Sequence, residues 1–172
     1  MNETLWEFSL RFYRLPGVAE SCIELQDHDG ADVNMVLFAL WAASCGQLLD
    51  AATIAEADRI ARPWRETVTQ PLRAARRGLK AEFDGFDAGA AAALRQQVMA
   101  AELESERLLQ QALAAQLRTG PSGSRAVAAA KQNLGQFETL IGKSFGAAQV
   151  EQLLQAFNAE ARGDRAPERA AQ

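Results

Sequence analysis

Hydrophobic positions recur along this chain at spacings of three and four residues, which is the period of an amphipathic α-helix. Alternating runs of β-branched residues, which would indicate strands, are absent, while the helix formers Ala, Leu, Gln, Glu and Arg dominate. The pattern predicts an all-α fold: a single-domain bundle of six to seven helices over residues 1–161. Residues 162–172 are charged and carry almost no large apolar groups, which predicts a disordered tail.

The first three predicted helices contain the most apolar part of the chain. They are expected at about 3–14, 16–28 and 33–45. Gly30 is placed to end the second helix in a left-handed conformation, and Asp32 is placed to cap the third. The third helix is apolar nearly all round, which predicts that it is the central helix of the bundle.

The remaining chain predicts one interrupted helix, one long helix and two shorter ones. Thr53 is the expected cap of the fourth helix, and Pro63 and Pro71 should break or bend it because proline cannot donate a hydrogen bond to the preceding turn. The later helices are expected at about 88–118, 125–141 and 147–161. The buried face of the long helix is predicted to consist of Leu94, Val98, Ala101, Leu108 and Leu113.

The stretch "DHDGADVN", residues 27–34, resembles a calcium loop only superficially. Counted from Asp27, the glycine falls at position four instead of six, and position twelve is Phe38 where the loop needs a bidentate glutamate. A turn between two helices accounts for Gly30 and Asp32 without any metal. Asn34 is left as a polar side chain in a buried helix, and the backbone of the preceding loop is its expected partner.

No catalytic, metal or cofactor-binding constellation is predicted from the sequence. His28 is the only histidine, and the two cysteines, Cys22 and Cys45, form no CxxC pair and are expected to be reduced, buried apolar groups. Glu102 and Glu106 share a helix face, but no Glu-x-x-His motif accompanies them, so solvent exposure is expected. These observations identify no catalytic residue, and they leave enzymatic activity undecided.

Charge is distributed unevenly along the chain. Residues 1–58 hold ten acidic and two basic residues, a net of −8, whereas residues 59–80 hold seven basic residues and one acidic residue, a net of +6. The basic side chains proposed as an anion-binding or partner-binding surface are Arg62, Arg65, Arg73, Arg76, Arg77 and Lys80. The last four fall at i, i+3, i+4 and i+7 of a helix, a stripe of like charges that is mildly unfavourable without an anionic partner.

Two interpretations of this basic stripe remain open. The first is pairing with the acidic first third of the same chain. The second is an anion-binding face for an acidic protein, a second copy of the chain or a small anionic ligand. A sequence pI of about 5.1 and the absence of a helix-turn-helix signature argue against duplex DNA as the partner.

The function expected first is that of a non-catalytic helical adaptor or regulatory protein that binds an acidic partner through the stripe. The alternative is a bundle that binds or modifies an anionic amphiphile, such as an acyl or prenyl phosphate, with arginines at the mouth of a pocket. The side chains expected to line that pocket are Trp6, Phe12, Phe38 and Trp41. A pocket whose wall combines aromatic side chains with these arginines would favour the alternative.

No membrane-spanning or secretory segment is expected. The longest uninterrupted apolar run, Met35–Ala43, has nine residues, whereas a spanning helix needs about 20. The stretch "MNETLWEFSL" lacks the basic region and apolar core of a signal peptide, so a cytoplasmic location is expected.

Three stretches resemble a family of small bacterial cytoplasmic proteins known only as a domain of unknown function. They are "FYRLPGVAESCIELQDHDGADVNMVLFALWAA", "WRETVTQPLRAARRGLK" and "AELESERLLQQAL". The resemblance spans roughly residues 6 to 118. It implies an all-α fold and carries over no catalytic residue, cofactor or partner.

Overall fold

A computed structural model describes residues 3–81, 83–117 and 127–161, and residue 161 is described by its backbone alone. The predicted disordered tail, 162–172, lies outside the described residues. All regular secondary structure in the described ranges is helical, which confirms the all-α prediction. The helices are α1 (Leu5–Phe12), α2 (Val18–His28), α3 (Val33–Ser44), α4 (Ala51–Trp64), a π-helical segment (Arg65–Thr69), α5 (Gln70–Gly78), α6 (Ala88–Ala114), α7 (Val127–Ile141) and α8 (Ala147–Ala161).

Helix α3 is the centre of the bundle, as its uniformly apolar sequence predicts. Ten consecutive residues, 34–43, are buried, and α1, α2, α4, α6 and α7 all pack against the helix. Asp32 caps it as predicted, its Oδ1 accepting a hydrogen bond from the backbone amide of Asn34 at 2.9 Å. The preceding turn contains Gly30 at φ 71°, a conformation that glycine adopts without a Cβ clash.

Helix α4 begins earlier than its sequence suggested. The carboxylate of Asp50 accepts from the backbone amide of Thr53 at 2.7 Å, so Asp50 is the cap and the assignment of that role to Thr53 was wrong. Because the amide of Thr53 is satisfied by a side chain three residues before it, the helix can start at Ala51.

The two prolines of the middle of the chain do not break its helical run. Helix α4, the π-helical segment and α5 follow one another directly from residue 51 to residue 78, so the described helices number seven if this run is counted once. The wide π turn directly follows Pro63, where the α-helical hydrogen-bond pattern is interrupted. Pro71 lies in the first turn of α5, directly after the π-helical segment, and the helical run continues through it.

Helix α7 packs against α3, and one polar side chain of α7 forms hydrogen bonds across this contact. Asn133 is fully buried and accepts from the amide of Leu49 at 2.8 Å. Its Nδ2 also donates to the carbonyl oxygens of Ala39 and Gln47, each at 3.0 Å. These three bonds join α7 to α3 and to the loop that follows it.

The long helix α6 turns a different face inward from the one predicted. Leu94 and Leu108 are exposed, and of the predicted buried positions only Leu113 is buried. The buried residues are instead Glu102, Ser105, Leu109, Gln110 and Leu113. Polar side chains can occupy this face because α3, α5 and the π-helical segment present hydrogen-bonding partners to them.

Within the described residues, no helix is both long enough and apolar enough to cross a membrane.

Candidate ligand-binding site

The polar turn before α3 is a structural junction between elements far apart in the chain. Asp32 Oδ2 accepts from Arg65 Nη1 at 2.8 Å, while Asp29 Oδ2 accepts from the amide of Gly146 at 2.9 Å. No cluster of three or more metal-ligating side chains occurs in the part of the chain that the structure describes. The acidic residues of this turn therefore cap and connect helices, in keeping with the structural interpretation of the sequence.

The side chain of Asn34 is hydrogen-bonded to another side chain. The prediction that its partner is the backbone of the preceding loop was wrong. Gln110 Nε2 donates to Asn34 Oδ1 at 2.9 Å, and both residues are buried. The bond ties the first turn of α3 to α6, 76 residues later.

Two arginines of the basic stripe are held by the two glutamates of α6. Arg73 donates from Nε to Glu102 at 3.0 Å and from Nη2 to Glu106 at 2.8 Å, and Arg76 donates to Glu102. Arg73 Nη1 also donates to Gln26 Oε1 at 2.6 Å. The expectation that Glu102 and Glu106 are solvent-exposed was wrong, because Glu102 is buried and Glu106 is half-buried.

The two glutamates differ in proton affinity although both contact Arg73. Burial raises the pKa of Glu106, and the pairing with Arg73 offsets only part of that rise. Burial also disfavours the charge on Glu102, but hydrogen bonds from Arg76 and Arg73 outweigh it and hold the pKa of Glu102 below its usual range. The site thus contains one firmly ionised carboxylate and one that protonates more easily.

The other members of the predicted basic surface are dispersed. Arg62 is exposed and pairs with Asp58 of its own helix, whereas Arg65 is pulled inward by Asp32. Arg77 and Lys80 are exposed and form no ion pair with any described residue. Arg73 and Arg76 are thus paired within the chain, but their partners are glutamates of α6 and not acidic residues of the first third of the sequence.

An apolar groove of about 310 Å³ opens between α1, α2, α3 and α6. Its apolar wall is formed by Trp6, Leu10, Tyr13, Ile23, Val33, Leu37 and Leu103. On α1 the aromatic and leucine side chains follow at i, i+4 and i+7 and so share one face. Leu10, Ile23 and Leu103 are 40%, 49% and 50% exposed, so the groove is an accessible apolar surface.

Polar atoms without partners line the same groove. Within the described part of the chain, three buried side-chain atoms lack a hydrogen-bond partner, and Ser9 Oγ and Gln110 Oε1 are two of them. Both residues border the groove and are at least 96% buried. Since buried polar groups are nearly always hydrogen-bonded, these two atoms are available to a water or to a polar group that enters the groove.

Charged groups and a phenol complete the groove. Arg14, Arg73 and Glu106 line it, and Arg14 is exposed with no ion pair to a described residue. Burial raises the pKa of Tyr13 to about 12, so its hydroxyl stays protonated near neutral pH and can donate a hydrogen bond.

Of the four aromatic residues predicted to line one pocket, Trp6 alone borders the groove. Phe12 and Phe38 are fully buried in the core. Trp41 is also buried, and its Nε1 donates to the carbonyl of Glu3 at 3.0 Å. The four side chains are therefore not brought together, because Phe12 and Phe38 lie on faces that pack inside the bundle.

A second, more polar cavity of about 180 Å³ adjoins the groove and is called the polar cleft here. Its wall includes Asp32, Asn34, Arg65, Thr69, Arg73 and Gln26. Gln26, Val33, Asn34 and Arg73 line both cavities, so the bond between Arg73 and Gln26 lies in their common wall.

Sequence reasoning identified Arg65, Arg73 and Trp6 but missed most polar residues of the site. Ser9, Gln26 and Gln110 look like ordinary solvent-facing residues of amphipathic helices. The one available signal was Asn34, a polar residue in a helix that is otherwise apolar all round. Its need for a partner implied a polar side chain on a facing helix.

The thiol of Cys22 is free of any disulfide and is fully buried. Burial raises its pKa to about 12, so this thiol stays protonated and poorly nucleophilic at neutral pH.

Comparison with known proteins identifies a family without an assigned activity. A family model described as "Protein of unknown function (DUF2390)" matches residues 4–113. The match covers more than half of the chain, and the chain therefore belongs to this family, as the resemblance in the sequence implied. Comparison with curated proteins and with solved structures gives no significant match.

Proposed function

We propose that this member of the DUF2390 family binds a small amphipathic anion in the apolar groove. The single observation that carries the proposal is the composition of the groove wall: aromatic and aliphatic side chains meet the guanidinium groups of Arg14 and Arg73 there. Ligand pockets are mostly apolar, with a few polar groups that fix the orientation of the ligand. The groove has this character, and its buried unpaired atoms add hydrogen-bonding capacity.

The charges of the basic stripe support this proposal over an adaptor that uses the whole stripe. Arg73 and Arg76 already contact carboxylates of α6, so an acidic protein would have to compete with Glu102 and Glu106 for them. Arg14, by contrast, is exposed at the groove and pairs with no described acidic residue. An anionic group entering the groove would meet this cation first.

The proposal is tested by fluorescence titration with 1-anilinonaphthalene-8-sulfonate, an aromatic sulfonate that brightens in apolar surroundings. The folded protein should bind one equivalent. Replacing both Ile23 and Leu103 by Ser should weaken binding about tenfold or more, since each buried leucine-sized side chain contributes roughly 1.5–3 kcal/mol of hydrophobic contact when fully covered.

The matched control is Leu48→Ser, because Leu48 is an equally exposed leucine, 58% accessible, outside the groove. This substitution should leave the titration unchanged. If the folded protein does not bind the dye, or if the groove variant and the Leu48 variant behave alike, the groove is not a ligand site.

A second candidate function, recognition of an acidic protein, is favoured by one observation at the turn between α5 and α6. Phe83 and Phe86 are 50% and 75% exposed with ring centroids 6.1 Å apart, and Arg77 and Lys80 lie a few residues before them. Replacing Arg77 and Lys80 by Ala should abolish capture of an acidic partner in this case while leaving dye binding intact.

A further inference from the structure

We propose that the ligand of the groove carries a singly charged carboxylate, and that this carboxylate lies in the polar cleft between Arg65 and Arg73. The inference rests on the proposed function, since it extends the same site inward from the apolar groove. It specifies the charge of the ligand, the chemistry of its head group and the side chains that recognise it.

The polar cleft is built by the π-helical segment. Arg65 and Thr69 are the first and last residues of that segment, and both side chains face the cleft. A single π-helical turn inside an α-helix is rare and is frequently found at functional sites, because it redirects side chains that a regular helix would point elsewhere. Here the turn directs a guanidinium group toward the N-terminus of α3.

Donors predominate around the cleft. Arg65 uses Nη1 for Asp32, which leaves N–H groups of its guanidinium free for a ligand. Arg73 places one hydrogen bond from each of its three nitrogens, and each of its two terminal nitrogens still carries a second N–H. Two guanidinium groups with spare planar N–H groups suit a carboxylate, which accepts such bonds in pairs.

The wall between the two cavities can open at low cost. Arg73 and Gln26 are joined there by one hydrogen bond in which the acceptor is a neutral amide oxygen. The present bond joins a charged donor to a neutral acceptor, whereas a carboxylate that replaced the amide at Arg73 Nη1 would pair two opposite charges. With the two cavities joined, the volume of roughly 490 Å³ falls within the common range of ligand pockets, about 300–1,000 Å³.

The charge of the combined site matches one negative charge and not two. Three arginines, Arg14, Arg65 and Arg73, line the two cavities together with the two carboxylates of Asp32 and Glu106, a net of +1. The contact between Arg76 and Glu102 behind the wall adds no net charge. A phosphate monoester, with about −1.5 to −2 charges at neutral pH, would leave excess negative charge beside these carboxylates. A carboxylate would neutralise the site.

The test is displacement of 1-anilinonaphthalene-8-sulfonate by three probes with the same ten-carbon chain: decanoate, decyl phosphate and decanol, all at pH 7.5. Decanoate should bind about tenfold or more tightly than either of the others, as expected for hydrogen bonds to a charged group. The double variant Arg65→Met with Asp32→Asn removes one guanidinium together with its carboxylate partner. It should reduce the affinity for decanoate about tenfold and leave that for decanol unchanged.

The matched control is the double variant Arg62→Met with Asp58→Asn, which removes an ion pair of α4 that faces neither cavity. It should change the affinity for none of the probes, and circular dichroism checks that both double variants fold. Preference for decyl phosphate, or equal binding of decanoate and decanol, would overturn the carboxylate inference while the groove itself stands. If none of the three probes displaces the dye, the carboxylate inference also fails, whereas the proposed function fails only if the dye itself does not bind in the groove.

Discussion

The guanidinium group of Arg65 lies 2.8 Å from the carboxylate of Asp32, the residue that caps the central helix α3. The carboxylate is almost completely buried, and the arginine side chain is about three-quarters buried. One side chain therefore performs two tasks: Oδ1 begins the helix, and Oδ2 compensates the charge of an arginine from the π-helical segment.

Removing that carboxylate should destabilise the protein more than the loss of a helix cap does. We expect Asp32→Ala to lower the free energy of unfolding by about 3–5 kcal/mol, because Arg65 would be left largely buried without its counter-charge. The control is Asp87→Ala, which removes the cap of α6 at an exposed position and should cost about 1 kcal/mol. Urea denaturation of both variants measures the difference. Equal losses would mean that the ion pair adds nothing to the cap.

A substitution at Glu102 should reveal itself in the pH dependence of stability. The pKa of Glu102 is lower in the folded protein than its unfolded value of about 4.5, so its ionisation stabilises the fold above that pH and the stabilisation is lost as pH falls through the folded pKa. We expect Glu102→Gln to cost about 3 kcal/mol at pH 7, since it weakens the contacts to Arg73 and Arg76. The deficit should shrink on acidification below pH 4.5. Glu104→Gln, an exposed neighbour on the same helix, should show no comparable loss.

Glu106, four residues further along α6, should have the opposite effect on the pH dependence of stability. The pKa of Glu106 is raised by burial, so the proton-bound form favours folding: that stabilisation is complete below about pH 4.5 and is lost as pH rises through the folded pKa. Glu106→Gln, which imitates the protonated acid, should therefore raise the stability at pH 7, and the gain should disappear toward pH 4. Urea titrations at several pH values test this. A loss at pH 7 similar to that of Glu102→Gln would contradict it.

These two glutamates also show where sequence reasoning reaches its limit. The all-α class, the central position of α3 and the cap at Asp32 all follow from local rules of spacing and helix ends, and each is predicted from the sequence alone. The inward face of α6 could not be predicted in this way. Leu94 and Leu108 satisfy the apolar spacing, but Glu102 and Gln110 are buried instead. Their burial depends on partners in α5 and α3, which no local pattern of α6 encodes.

The candidate site was predictable to a similar degree. Arg65 and Arg73 stand out by charge, and Trp6 stands out by size and polarity. The groove itself requires side chains from five helices separated by up to about 100 residues, and one of them, Gln110 of α6, is bonded to Asn34 of α3.

Asn133 should be among the least replaceable residues of α7. Asn133→Ala would leave the amide of Leu49 without its partner and would remove two bonds to carbonyl oxygens, and a buried unsatisfied group costs roughly 1–3 kcal/mol. We expect a total loss of about 3 kcal/mol or more in thermal or urea unfolding. Gln132→Ala, at the exposed neighbouring position, should be within about 0.5 kcal/mol of the parent protein. A comparable loss at both positions would mean that helix content, and not the buried amide, is responsible.

Gly17 should resist substitution for both conformational and steric reasons. Its φ is 77°, and a Cβ at this position would lie 2.7 Å from Nε2 of Gln152, which itself donates to the carbonyl of Pro16. We expect Gly17→Ala to cost about 1–2 kcal/mol, the range for an L-residue in the left-handed region. Gly78→Ala is the control: space around Gly78 is open and the position is helical, so the change should be neutral or stabilise α5 by up to about 1 kcal/mol. Equal effects of the two substitutions would exclude a special role for the conformation of Gly17.

The packing of α7 on α3 has a consequence for the order in which the protein acquires its structure. Asn133 meets the carbonyl of Ala39 across 94 residues of chain. At a synthesis rate of about 5–20 residues per second, the most apolar helix leaves the ribosome roughly 5–20 s before the helix that covers it. Throughout that interval the face of α3 that packs on α7 stays uncovered, and closing the bundle then requires a long-range contact of the kind that slows folding. The core around α3 is therefore completed only after nearly all of the described chain has been synthesised.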